Sequence, residues 1–259
     1  MMRFLKNLRV LIAGTPNIPD VVKNNQTLRC IFERRSCRWF TSEELSEDET
    51  RTILEAGRFA PSTVNLQTWT FITFTRPQWH ALFDRPIPFR AAFAIVVCAD
   101  IVRLKTLLPE LHDTPQVNLS FAIFNAGLAA MNMTIAAEAL GIGSVLLSET
   151  GRTGLLDCEF LQQKLGLPPG VLPLTTLVLG KRARRLPGIP PRQPWNAVVM
   201  EQRYDPAAGS RLQDWFSQML LGFKLTHPFS SFQRQLALYR KKMAAAEKTL
   251  QDTCEKLHE

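Results

Sequence analysis

The sequence predicts an α+β protein, a central mixed β-sheet flanked by helices and followed by a C-terminal helical extension. Short runs of strand character at 69–75, 93–99, 143–148 and 174–180 alternate with helical stretches. The run 93–99 is apolar throughout, as in a strand covered on both faces. Beyond Tyr204 a Pro- and Gly-containing linker, 205–210, opens into helical sequence. The chain is therefore divided into an N-terminal segment (1–24), a main domain (25–204) and an extension (205–259).

Residues 19–34 read as a helix, with Val21, Val22, Leu28, Ile31 and Phe32 partly at helical spacing. Ser46 and Glu49 form a capping-box pattern that starts a helix over 47–59, which Pro61 ends. The segment 121–140 is the most apolar. Its abundant Ala and Gly, broken by Asn125, Asn132 and Glu138, fit a closely packed buried helix better than a bilayer span. Residues 157–165 form the next helix, with Asp157 expected as N-cap and Gly166 as its stop. A last strand is expected at 197–202. Helices over 212–223 and 232–258 follow, the second with loosely heptad apolar spacing.

The 259 residues suffice for a sizeable core, and 46% hydrophobic with 21% charged residues describes a globular chain. The net charge of +8 suits anionic ligands without choosing among them. Five scattered cysteines and no signal-peptide core lead to free thiols in a reducing compartment, expected to be the cytoplasm. The four histidines show no metal-ligand spacing, and neither a Gly-x-Ser-x-Gly elbow nor a P-loop occurs. Gly141-Ile142-Gly143 follows a helix and precedes a strand, the reverse of a dinucleotide-binding turn.

Two runs carry the candidate chemistry. Arg34-Arg35-Ser36-Cys37-Arg38 sets three guanidiniums and a hydroxyl at a helix end. A solvated basic helix end would explain one such arginine, but three favour a site for ligand oxygens. Pro61-Ser62-Thr63-Val64-Asn65-Leu66-Gln67-Thr68-Trp69 is an amide-rich turn leading into a strand. Together they read as two walls of a pocket for a flat, polar, anionic ligand. Cys37 lies among the arginines but is treated as a bystander.

The second run matches the Pro-Ser-x-x-Asn-x-Gln-Pro-Trp loop of the nitroreductase family except at Thr68, and the chain resembles that family over about 25–204. The resemblance implies a homodimer with flavin mononucleotide (FMN) at its interface. It also implies NAD(P)H as electron donor, and a nitroaromatic, quinone or similar acceptor reduced in a ping-pong reaction. No side chain is then an essential acid or base.

By the same resemblance Arg34 and Ser36 bind the ribityl-phosphate side, Arg38 the pyrimidine edge, and Arg35 belongs to the same cradle. Pro61, Ser62, Thr63 and Asn65 line the flavin, while Gln67 and Trp69 brace the loop. The loop Glu149, Thr150 and Gly151 offers a backbone amide to the reactive nitrogen. Arg192, and after it Arg184, binds phosphate. A nucleic-acid reading of 181–185 fails on the prolines that interrupt the segment and the lack of interleaved aromatics. No membrane partner is expected.

Two departures stand out. Only residues 76–92 separate the first two strands, where the family commonly inserts more, and the resemblance implies no function for the extension after Asp205. The alternatives are another reaction on the same fold (dehydrogenase, dehalogenase or flavin-fragmenting) or a non-catalytic role exercised through the C-terminal helices.

Overall fold

A computed structural model describes residues 20, 24–105, 107–108, 113–148, 151–184 and 190–256. By internal contacts, Asn25–Leu186 and Lys241–Glu259 form one unit, and the described part of Pro187–Arg240 belongs to another. Of the N-terminal segment 1–24, all but residues 20 and 24 lie outside the described residues.

The first unit is built on strands β1 (Trp69–Thr75), β2 (Phe93–Ala99), β3 (Gly143–Leu147) and β4 (Leu172–Gly180) in the order β1-β2-β4-β3. All three ladders are antiparallel. Among the described residues the parallel component of the sheet is a single bridge, Ser36 to Ser144, on the outer edge of β3. β2 and β4 are central, and β2, covered on both faces, is apolar throughout.

Of the seven helices of eight or more residues among the described residues, six were expected in outline and the helix Arg76–Phe83 was not. α1 (Gln26–Glu33) starts one residue after Asn25, whose side chain accepts from the Leu28 N–H at 3.0 Å. α2 (Glu47–Arg58) carries the complete Ser46–Glu49 capping box. α3 (Arg76–Phe83) fills the short connection between β1 and β2. α4 (Pro115–Ala139) is the long apolar helix, and α5 (Cys158–Leu165) precedes β4.

α4 is long and apolar enough to cross a membrane. Its inner face, however, packs Leu119, Ala122, Ala126, Ala129, Met133 and Ala137 against Ile95, Val97, Leu177 and Leu179 of the sheet. Small side chains let the helix axis come close to the strands. The opposite sheet face packs Val96, Cys98, Val145 and Val178 against Trp79, Phe83 and Leu161 of α3 and α5.

Asp157 sits at the N-cap of α5 but makes no capping bond. Its carboxylate is instead 3.6 Å from Lys242. Gly166 does end α5, in the left-handed conformation (φ 60°) that glycine adopts without cost.

In the second unit the strand expected at 197–202 is absent. α6 (Trp195–Val198) takes its place, closed by the Ala197 N–H to Pro194 O (3.0 Å) and Val199 N–H to Trp195 O (2.8 Å) bonds. Those local bonds occupy amides that a ladder would need. The linker at 205–210 is an ordered 3-10 turn, Pro206–Leu212, begun by Asp205 accepting from Ala207 N at 2.9 Å. α7 (Gln213–Thr226) follows it, and α8 (Phe232–Lys256) begins in this unit and ends in the first.

Candidate functional site

The loop before β1 is held from below by a residue of α4. Asn125 is fully buried, and its Oδ1 accepts from the Thr63 N–H (3.0 Å) and from Thr63 Oγ1 (3.2 Å). Its Nδ2 donates to Thr68 Oγ1 at 2.9 Å. Thr68, which stands where the family pattern has proline, is thus a buried hydrogen-bond partner that a proline cannot be. Ser62 Oγ accepts from the Gln67 N–H at 3.0 Å, closing the turn.

The exit is clamped too: Arg103 donates to Trp69 O (2.6 Å) and Gln67 O (3.3 Å) and pairs with buried Asp100 at 2.7 Å.

This framework holds an unusual backbone. Val64, Asn65 and Gln67 all have positive φ (51°, 58° and 50°) without a glycine among them. Left-handed non-glycine residues cost roughly 1–2 kcal/mol each and persist where their surroundings fix them. The side chains of Ser62 and Thr63, expected to line a ligand, therefore serve the loop itself. What the loop presents outward is Pro61, Val64 and Asn65, all exposed.

The arginine run lies elsewhere. Residues 36–41 pass the start of β3 and the end of β4, through Cys37 N to Ser144 O (2.8 Å), a Phe40–Arg182 bridge, and Thr41 N to Lys181 O (2.9 Å). They fit because Gly143 and Gly180 face each other across the ladder there. A Cβ at Gly143 would sit 2.8 Å from Cys37 Sγ, and one at Gly180 would sit 2.9 Å from the Phe40 ring.

Arg35 turns back on its own helix, donating to Phe32 O (3.0 Å) and Arg34 O (2.7 Å). These bonds cap the helix end with its Nη1. Arg34 and Arg38 pair with no carboxylate among the described residues, and Arg38 is exposed. Arg184 joins them by stacking on Trp39, 4.8 Å from the ring centroid.

Two neighbouring cations, Lys181 and Arg182, are consumed. Lys181 binds Glu49, which holds the Glu49 carboxyl below and the lysine above its ordinary pKa. Arg182 binds Glu138. Arg192 belongs to the second unit, and Glu149 and Thr150 lie outside the described residues. Gly151 has φ 72°, a conformation suited to glycine, with Arg152 next to it at φ 53°.

The two runs do not meet within one chain. The loop enters β1 at Trp69, which pairs with Ala99 at one end of the sheet; Ser36 bridges Ser144 near the other, where Gly143 pairs with Gly180. Seven-residue strands span roughly 20 Å. α4 gives the same separation: Asn125 holds the loop and Glu138 holds Arg182, thirteen residues or about 20 Å along a helix. The two walls expected of one pocket are therefore not brought together within this chain.

Asn125, Asp100 and Arg103 were not among the sequence candidates. The signal for Asn125 was present, since an uncompensated amide within an apolar, alanine-rich helix requires partners.

The nitroreductase family model matches residues 31–85 and 79–181. The FMN reductase [NAD(P)H] of Bacillus subtilis (strain 168) is 30% identical over 191 residues, covering 70% of this chain and 75% of that one. The oxygen-insensitive NADPH nitroreductase of Salmonella typhimurium is 29% identical over 208 residues, covering 77% and 83%. The solved NADPH:FMN oxidoreductase from Vibrio harveyi, complexed with NAD+, superposes with a TM-score of 0.64 at 26% identity, covering 84% of this chain and 98% of that one. The chain belongs to the nitroreductase family.

Proposed function

We propose that this protein is an FMN-dependent NAD(P)H oxidoreductase that works as a homodimer, each flavin held between residues of two chains. The observation that carries the reading is the placement of the two runs, each with uncommitted groups, at opposite ends of one sheet. A second copy set against α4 supplies the end that each chain lacks. α4 offers such a face: Val117, Phe121, Phe124 and Met131 are exposed at helical spacing on the side turned from the core.

The residues present fit FMN. Arg34, Arg38 and Arg184 are cations without acidic partners among the described residues, suited to a phosphate and to an electron-rich ring edge. The Asn65 turn is rigid and open, able to approach a flat ring. When bound, FMN supplies the redox chemistry, taking hydride from NAD(P)H and passing electrons to a nitroaromatic, quinone or similar acceptor in ping-pong order. Arg38 stabilises negative charge at the ring edge, and Asn125 and Arg103 fix the loop from behind. The backbone at Gly151 would offer an amide to the bound flavin.

Purified protein tests this directly. It is expected to be yellow and to bleach with NADPH or NADH under nitrogen, recovering colour on addition of a quinone. Colourless protein that ignores added FMN refutes the reading.

A further inference from the structure

On the sheet face opposite α4 lies a cavity of about 630 Å³ between the 40–42 segment, the start of α3 and the turn at 86–91. None of the residues proposed for the flavin lines it. Its walls are apolar, chiefly Phe40, Pro77, Pro86 and Ile87, and no carboxylate lines it. Two guanidiniums and an imidazole do: Arg76, Arg90 and His80.

Their roles differ. Arg76 is committed to the fold, donating to Ala91 O (3.1 Å), Ser42 O (2.8 Å) and Thr41 O (3.3 Å) and pairing with Glu44. It braces one wall against another. His80 and Arg90 are exposed and have no acidic partner among the described residues.

The turn carrying Arg90 is strained. Phe89 and Arg90 are consecutive left-handed residues (φ 58° and 55°), neither a glycine, closed by the Arg90 N–H to Ile87 O bond at 2.8 Å. Tandem left-handed side chains hold a particular direction against their local preference, a pattern that clusters at ligand clamps.

We infer that this cavity binds an amphipathic carboxylate, its apolar body against Phe40, Pro77 and Ile87 and its carboxylate on Arg90 and His80. The volume falls in the range of small-molecule sites, and apolar walls with a few convergent polar groups are their usual makeup. A guanidinium fork matches a carboxylate in geometry as well as charge.

Calorimetric titration of the protein as purified, with whatever flavin it carries, tests this. 4-Phenylbutyrate is expected to bind with one site per chain. 4-Phenyl-1-butanol, which lacks the charge, and acetate, which lacks the body, should each bind at least ~10-fold more weakly, the order of one charge-assisted contact. An Arg90→Ala/His80→Ala double variant, altered at exposed positions, should lose ~10-fold in 4-phenylbutyrate affinity with its flavin absorbance unchanged. The inference is overturned by no saturable binding up to millimolar 4-phenylbutyrate, by equal binding of the alcohol, or by an unaffected double variant. Displacement of flavin by the probe also overturns it, because the probe would then occupy the flavin site. Failure here leaves the flavin reading standing, which rests on other residues.

Discussion

Asn125→Ala probes the device that holds the loop before β1. The change removes one acceptor and one donor, and with them three hydrogen bonds, two to Thr63 and one to Thr68. Half-buried Thr63 can turn to water. Thr68 Oγ1, on a residue only 1% exposed, cannot. A stranded buried group costs about 1–3 kcal/mol and an ordinary net bond about 1 kcal/mol, so the loss is about 2–4 kcal/mol. For a chain of this size that corresponds to a fall in Tm of roughly 5–12 °C. The strained backbone at Val64, Asn65 and Gln67, roughly 3–6 kcal/mol in total, is then free to relax. Thermal unfolding by circular dichroism and FMN titration by fluorescence give the two readouts, with an affinity loss of at least ~10-fold expected. Thr68→Val strands only Asn125 Nδ2 and should cost about 1–2 kcal/mol. A Tm within about 1 °C of the parent for Asn125→Ala refutes the energetic argument. A lowered Tm with unchanged FMN affinity refutes the link between loop and ligand.

Val64 is 85% exposed at φ 51°, so Val64→Gly exchanges left-handed strain for unfolded-chain entropy; a net gain of about 0.5 kcal/mol is expected, and a loss in Tm would show the residue unstrained. Arg38→Ala should weaken FMN binding or lower the flavin reduction potential, and parental values for both would remove it from the site. Burial pushes the Cys98 thiol from 9.0 up to about 12, with the Asp100 carboxylate adding to the rise. The unfolded chain then releases this proton before the folded one, so stability should decline as pH rises from 9 toward 12, by up to about 1.4 kcal/mol per pH unit. Cys98→Ala should flatten that slope in urea midpoints measured across the range, and an identical slope would contradict the assignment.

Much of the fold could be read locally because its signals are local. The capping box of α2, the apolar run of β2 and the glycine stop of α5 are each complete within a few residues. The failures share a cause. Asp157 fits an N-cap by spacing, yet its carboxylate faces Lys242 from another helix. Residues 197–202 have strand composition but no free ladder, and Pro194 starts a helical turn instead. The site divides the same way. The identity of the Pro61–Trp69 loop is written in the loop, whereas Asn125, which holds it, is sixty-two residues from Thr63. That the same amide-rich loop spends Ser62 and Thr63 on itself is a three-dimensional fact, as is the diversion of Arg35 to its own helix.

The separation of the two runs makes a demand beyond geometry. A ligand held by groups from two chains binds only the dimer, so flavin binding and association must be linked, each strengthening the other by the same factor. Phe124 is 60% exposed on the outer face of α4, away from the core contacts that α4 makes through Ala122 and Ala126. Phe124→Asp should therefore leave the fold intact while opposing a partner helix. The expected result is a monomer in sedimentation, an unchanged far-ultraviolet spectrum, and flavin lost on gel filtration. Excess FMN should recover part of the dimer, and dilution of the parent protein should release flavin at the concentration where it dissociates. A monomeric Phe124→Asp variant that keeps FMN at parental affinity would mean that one chain suffices. The two runs would then serve different ligands, and the loop held by Asn125 would have to be read without the arginines.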